Sequence, residues 1–336
     1  MAPFEKNFIM YCTSYSSVRL IIFCRAYISL ALDETNDKKS KRAECIILSI
    51  LLCLSLIILL LLFPQVAHEG ADLGVSLFMD ALFPYLLPYL ILTNWLIRLT
   101  AQPTGKSSFS LFFKTYCISA VGGFPTGAAT IAHLTRQGEL QKKQAAYLLG
   151  ICHSPSPLFM FGFVGMDLFG STTFSWNYLL LLHSFSLIFL VIIYLLIPAT
   201  RTTVYEHVVD PQPFTNSIKD SIPTVLIVAS TIVFFTTIYT VFLYSTDVLF
   251  QSLPQVFELF VAGALEMTNG LFLVHQHLDG SMLAVITVLF LTTQSLSIHL
   301  QVIVIARGAG IALRPYIWIR LLYSILMPCL YLLFFL

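Results

Sequence analysis

The stretch Gly122–Ala128, which reads GGFPTGA, interrupts an apolar run that extends from Phe109 to His133. Three glycines and one proline in seven residues break an α-helix, because glycine is conformationally free and proline lacks the amide donor. At membrane depth, non-helical backbone is tolerated only where protein or a watery cavity covers it. The stretch therefore predicts the tip of a re-entrant helical hairpin buried among other helices. A glycine–proline kink in one long crossing helix is the alternative.

The composition indicates that the surroundings are a lipid bilayer. The 336 residues are 57% hydrophobic and 10% charged, with a mean hydropathy of +0.85, whereas soluble domains carry about a quarter charged residues. A net charge of +1 gives no bulk field to attract nucleic acid, so we expect no nucleic-acid partner. The seven cysteines show no CxxC pair and no matching histidine spacing. We therefore expect no metal site, no cofactor and no disulfide framework.

Seven apolar runs are long enough to cross about 30 Å of hydrocarbon as helices. They are Ile46–Phe63, Val75–Ile97, Ala145–Leu168, Trp176–Ile197, Ile222–Tyr244, Met282–Ala306 and Leu313–Phe335. Two further runs, Phe109–His133 and Pro254–His277, are interrupted at their centres and predict re-entrant hairpins. The predicted fold is an all-α polytopic membrane protein with about seven spanning helices and two hairpins.

The distribution of basic residues sets the predicted orientation. Lys38–Arg42 precedes the first span, so we expect a cytoplasmic N-terminus. Two hairpins keep the basic residues of Arg136–Lys143 cytoplasmic, together with Arg307 and Arg314. Only Arg320, inside the last span, lies outside a cytoplasmic stretch. The charge pattern therefore favours hairpins over crossing helices.

A pattern of span, hairpin and interrupted span occurs twice, at an offset of about 140 residues. GGFPTGA at 122 corresponds to GALEMTNG at 263, and CHSPSP at 152–157 corresponds to TTQSLS at 292–297. The first copy begins outside and the second inside, which predicts an inverted repeat with broken helices, as in secondary transporters. The expected segments are a tail or upstream extension (1–37), a first helix with an external loop (38–74), the first repeat (75–197), a cytoplasmic loop (198–220) and the second repeat (221–336).

The helix breaks are the predicted solute site. Half-helix N-termini carry partial positive charge and free N–H groups, which suit a carboxylate without any buried Lys or Arg. For Thr126 a turn role is the alternative, and for His153 and His299 it is structural hydrogen bonding. The candidate binding residues are Thr126, His153, Ser154, Ser156, Asn269, Gln294, Ser295, Ser297 and His299.

Glu266 lies in the second hairpin break. A carboxylate inside a membrane is costly, and such residues are functional candidates by default. We expect it to couple transport to a proton or another cation. The alternative is that it caps a hairpin helix.

Six fragments, in the order LFPYLLPYLIL, GGFPTGA, SPLFMFGFVG, LEMTNG, SLSIHLQV and LRPY, together resemble the YlbJ (SpoVV) family of sporulation integral membrane proteins. These proteins carry the nucleoside-recognition gate domain that concentrative nucleoside transporters share more distantly. The resemblance covers roughly residues 38–336. It implies a protein that moves dipicolinate, a small aromatic dicarboxylate, across the outer forespore membrane.

The predicted function is therefore the transport of a small anionic or polar solute, with dipicolinate as the candidate. The alternatives are a membrane scaffold or spore-maturation factor, and a transporter of nucleoside-type solutes. The sequence contains no H-E-x-x-H motif and shows no nucleophile–base pair, so we expect no enzyme activity.

Overall fold

The computed structural model describes residues 38–99, 109–197, 210–250 and 254–336. Across these ranges all regular secondary structure is helical, which confirms the predicted all-α class. The expected N-terminal tail lies outside the described residues. The helices are α1 Lys38–Leu62, α2 Pro64–Ser76 with a π-helical turn Leu77–Leu82, α3 Phe83–Leu99, α4 Phe109–Gly122, α5 Thr126–Arg136, α6 Lys142–Ile151, α7 Pro157–Phe159 continued by π-helical Met160–Leu168, α8 Thr173–Leu196, α9 Pro213–Phe250, α10 Gln255–Leu265, α11 Met267–His277, α12 Gly280–Thr293, α13 Leu296–Gly308 and α14 Arg314–Phe335.

The chain divides into two units between Leu62 and Phe63. The first unit contributes α1, whose isoleucine and leucine side chains are largely exposed. Exposed aliphatic side chains on such a helix suit lipid, because acyl chains are as apolar as leucine. The second unit contains α2 to α14 and holds every residue of the predicted site.

Four helical elements in the described part of the chain are long and apolar enough to cross a membrane. They are Thr173–Leu196, Pro213–Leu249, Gly280–Gly308 and Arg314–Phe335, and a fifth arises if Ile46–Leu62 and Pro64–Asp80 together form one span. The protein is thus an integral, multi-pass membrane protein. The count of seven spans and the re-entrant course of the hairpins remain predictions.

The expected external loop at residues 64–74 is helical in the structure. Pro64 occupies the first turn of α2, where its missing amide hydrogen costs nothing. Gly70 and Gly74 bring α2 against α9, since a Cβ on them would lie 2.9 Å from Thr237 Cα and 2.8 Å from Val233 Cα.

Helix α9 runs from Pro213 to Phe250, well beyond the predicted span Ile222–Tyr244 and into the expected cytoplasmic loop. Its first turns are tied to the end of α3, where Arg98 forms ion pairs with Asp210 and Asp220. Hydropathy identifies the apolar part of a helix, and polar ends that extend past the hydrocarbon escape it.

The same order of elements occurs twice in the second unit. Helix α3, hairpin α4–α5, broken helix α6–α7 and α8 are followed by α9, hairpin α10–α11, broken helix α12–α13 and α14. All four predicted interruptions are present as helix breaks. The largest buried core joins residues from both sets of elements and surrounds these breaks.

Candidate functional site

The tip of the first hairpin packs backbone to backbone on the first helix break. Gly123 has a φ of +70°, which favours glycine, and a Cβ there would lie 2.5 Å from the Ser156 nitrogen. A Cβ on Gly127 would lie 2.1 Å from the Cys152 carbonyl oxygen. The glycines of GGFPTGA therefore provide the space in which the hairpin and the break meet.

The second hairpin uses glycines in a related way. A Cβ on Gly270 would lie 2.3 Å from Gly263 Cα, so α10 and α11 are in direct contact. A Cβ on Gly263 would lie 2.3 Å from the ring of Phe290, which is close to the end of α12. Each hairpin thus packs on the broken helix that follows it in the chain.

Three of the four breaks begin their second helix with a side-chain cap. The Ser156 hydroxyl accepts from the Phe159 N–H at 3.2 Å, and the Ser295 hydroxyl accepts from the Ile298 N–H at 3.4 Å. The Glu266 carboxylate accepts from the Asn269 N–H at 2.9 Å. Such caps satisfy one of the amide groups that a helix start leaves free.

Two neighbouring cavities lie at these helix starts and share Leu82, Leu86, Phe124 and Phe159 as walls. The first has a volume of about 40 Å³ and also touches Tyr89, Gly122 and Ser156. The second has a volume of about 20 Å³ and also touches Val228, Ile232, Glu266, Met267, Thr268, Ile298 and Gln301. Both hairpin tips and the second halves of both broken helices therefore line one region.

Both cavities are small. A buried water needs roughly 10–15 Å³ of cavity volume, so these two cavities hold about one to three waters each. A solute with a dozen non-hydrogen atoms does not fit. The cavities are closed to such a solute unless the surrounding elements separate.

The predicted site residues divide into those at the cavities and those behind them. Ser156 and Glu266 line the cavities. Asn269 donates to the Thr236 hydroxyl at 3.2 Å, which ties α11 to α9. Ser297 is buried on α13 and accepts from Gln301.

The remaining predicted residues of the first repeat are also buried. The Thr126 hydroxyl donates to the Gly122 carbonyl at 3.2 Å, which closes the hairpin tip and agrees with the alternative turn role. The side chains of His153 and Ser154 have no hydrogen-bond partner for their polar atoms. These are unpaired groups at the break, available to a bound molecule or a water.

His299 is hydrogen-bonded to neighbouring elements. Its Nδ1 lies 2.7 Å from the Tyr316 hydroxyl and its Nε2 lies 2.9 Å from the Thr293 carbonyl. This geometry matches the alternative of structural bonding. Tyr316 also packs edge-on against the ring of His153, at 5.9 Å between ring centroids.

Gln294 links the two breaks. It has a φ of 61°, a conformation that costs a non-glycine residue of the order of 1–3 kcal/mol. Its side-chain amide donates to the His153 carbonyl at 3.2 Å. The strained backbone thus accompanies a contact between the second break and the first.

The sequence did not assign a role to Arg320, which contacts both breaks. This residue on α14 is 4% exposed and donates to the carbonyls of His153, at 3.0 Å, and Thr292. Its position as a basic residue inside the last span was the available signal, since intramembrane charges are by default functional candidates.

Comparison with known proteins gives one match. Over 117 residues the chain is 29% identical to the sporulation integral membrane protein YlbJ of Bacillus subtilis (strain 168). This match covers 32% of the chain and 29% of the relative. The chain is a membrane protein related to a sporulation integral membrane protein. The match spans less than a third of that relative's length. No family model and no solved structure matches the chain.

Proposed function

We propose that the protein is a membrane transporter that holds a small anionic or polar solute between the two hairpins and the two broken helices. The observation that carries the proposal is the pair of cavities at the starts of α7, α11 and α13. Helix starts attract anions through partial positive charge and free N–H groups. Broken helices that meet around one site are typical of secondary transporters.

Dipicolinate is the proposed solute. The similarity to a sporulation membrane protein supports it, and so does the wall of aromatic side chains Tyr89, Phe124 and Phe159 beside the helix starts. A flat ring suits aromatic walls, and its carboxylates suit helix N-termini. The corresponding location is the outer forespore membrane.

Glu266 is the proposed coupling group. It lines the second cavity, is 3% exposed, and has no Lys or Arg side chain within ion-pair distance among the described residues. An ionised carboxylate there is costly without a counter-charge. A proton or cation that enters with the solute removes this cost, and it also removes the repulsion between the carboxylate and an anionic solute.

The test is uptake of labelled dipicolinate into lipid vesicles that contain the purified protein. Nucleosides and other dicarboxylates serve as competing solutes, and protein-free vesicles as the control. Saturable dipicolinate uptake that unlabelled dipicolinate competes away supports the proposal. Transport of nucleosides instead identifies the nucleoside-type alternative, and no transport of any solute favours a scaffold or maturation factor.

We also propose that both hairpins are re-entrant and enter from opposite sides. Single cysteines at the exposed positions Gln137 and Asp247, in a background without the native cysteines, report on this. A membrane-impermeant thiol reagent is expected to label position 137 from the cytoplasmic side and position 247 from the external side. External labelling of position 137 turns the first hairpin into a crossing and rejects the inverted repeat.

A further inference from the structure

Arg320 is a buried cation without a carboxylate partner. It is 4% exposed, and no Asp or Glu of the described ranges lies within ion-pair distance of it. A buried charge that lacks a counter-charge costs several kcal/mol. Something other than a carboxylate must stabilise the guanidinium where it lies.

The C-terminal ends of α6 and α12 stabilise the Arg320 guanidinium. His153 lies two residues after the end of α6, and Thr292 belongs to the last turn of α12. Arg320 donates to the carbonyl oxygens of both. The C-terminal end of a helix carries partial negative charge and unpaired carbonyls, which suit a cation. The ring of Tyr323 lies 5.3 Å below the guanidinium and adds a cation–π contact.

The two acceptors come from different repeats. His153 belongs to the first broken helix and Thr292 to the second, 139 positions further along the chain. The guanidinium presents its donors in a rigid planar fork, so the spacing of two bound acceptors is fixed. The amide of Gln294 donates to the same His153 carbonyl and gives a second link.

We propose that Arg320 is a positioning residue that binds the C-terminal ends of α6 and α12 together, so that the two broken helices move as one body. The closed cavities then open by movement of the hairpins or of α3 and α9, and not by separation of the two breaks. The link to a solute rests on the proposed function, whereas the link between the helices does not.

Distance measurement between spin labels tests the proposal without a solute. Labels at the exposed residues Lys143 and Met282, near the starts of α6 and α12, report how firmly the two helices are joined. The unsubstituted protein is expected to give one narrow distance distribution. Arg320→Gln and Arg320→Lys are both expected to broaden it, because neither side chain can hold two carbonyls in a fixed fork. Arg314→Lys on the same helix is the matched control, since Arg314 is exposed, and it is expected to leave the distribution unchanged.

Arg320→Lys keeps the charge at the two helix ends, so it is the variant expected to fold if Arg320→Gln does not. A distribution as narrow as that of the unsubstituted protein in folded Arg320→Lys overturns the proposal. Absence of solute transport in the unsubstituted protein rejects the proposed function but leaves the distance result to stand by itself. If transport occurs, Arg320→Lys is expected to reduce its maximal rate by more than it changes the solute KM.

Discussion

The two sides of the helix breaks meet different partners. On one side, α7, α11 and α13 begin at the cavities, capped by Ser156, Glu266 and Ser295. On the other side, carbonyls at the ends of α6 and α12 bind the guanidinium of Arg320. Helix starts of partial positive charge thus face the cavities, and helix ends of partial negative charge face a buried cation.

The helix starts border the cavities, whereas the helix ends are held together by a side chain of the protein. The Ser295 cap satisfies one backbone amide of α13, and a helix start leaves up to four such groups, so donors remain at that start for a ligand. On the opposite side the carbonyls already have a charged donor belonging to the protein. On this basis we propose that a solute anion binds at the helix starts, whereas the helix ends keep a fixed position.

The largest effect is expected where the tip of the first hairpin contacts the backbone of the first helix break. In Gly127→Ala the new Cβ would lie 2.1 Å from the Cys152 carbonyl oxygen, a backbone atom that cannot turn aside. We expect a stability loss of about 3 kcal/mol or more, because overpacking against backbone forces the hairpin tip off the break. Thermal unfolding in detergent measures it. Gly162→Ala is the control, since nothing lies within 4 Å of a Cβ there. Equal stability of the two variants contradicts the close packing of tip and break.

The next effect concerns solute uptake and its dependence on Glu266. Glu266→Gln keeps an oxygen that can accept from the Asn269 N–H, so the cap and the fold are expected to survive. Gln carries no exchangeable charge, so uphill accumulation of solute and its dependence on pH are expected to disappear. Glu266→Asp is expected to retain part of both. Uptake into vesicles over a range of pH is the measurement, and unchanged uptake by Glu266→Gln at every pH assigns the residue to capping alone.

A smaller effect is expected from the serine caps. Ser156→Ala and Ser295→Ala each remove an acceptor for a backbone amide and are expected to cost about 1 kcal/mol. Ser154→Ala removes a hydroxyl that has no partner, so it is expected to leave stability unchanged. Denaturation midpoints in the absence of solute distinguish these variants. An equal cost for all three removes the distinction between capping and free hydroxyls at the breaks.

The smallest effect sharpens the contrast between two arginines. Arg98 forms ion pairs with two carboxylates, unlike Arg320. The Gln212 N–H, the Asn216 amide and Arg98 hold the pKa of the Asp210 carboxyl below its ordinary value of 3.8. A lowered folded-state pKa stabilises the fold above the ordinary value, and this contribution is lost as pH falls through the lowered value.

We therefore expect Asp210→Asn to lower stability slightly at neutral pH and to have no effect in strong acid. Thermal unfolding midpoints from pH 7 downward are the measurement. A difference between the two proteins that grows on acidification contradicts the assigned sign.

The sequence predicted the breaks because their causes are local. Glycines and prolines in GGFPTGA and CHSPSP, and the short polar run TTQSLS, interrupt helices wherever they stand. Glu266 lies in the break between α10 and α11, where it both caps α11 and lines a cavity.

The partners of these breaks were not predictable in the same way. Arg320 lies 167 positions from His153 in the chain, and only the fold brings the two together. Helix α2 likewise packs on α9 through Gly70 and Gly74, a contact between distant parts of the chain. Glycine, proline and short polar residues determine where the helices end, whereas tertiary packing determines which residues contact those ends.

Protection of a cavity cysteine by solute measures directly whether the solute binds at the helix starts. Thr268 lines the second cavity, so Thr268→Cys places a thiol among the helix starts, and a cysteine at the exposed Asp247 serves as the control. Both belong in a background without native cysteines and in vesicles at neutral pH. We expect dipicolinate to slow thiol modification at position 268 in a saturable manner and to leave position 247 unaffected. Modification of position 268 at the same rate with and without dipicolinate, in protein that transports it, contradicts a solute site at the helix starts.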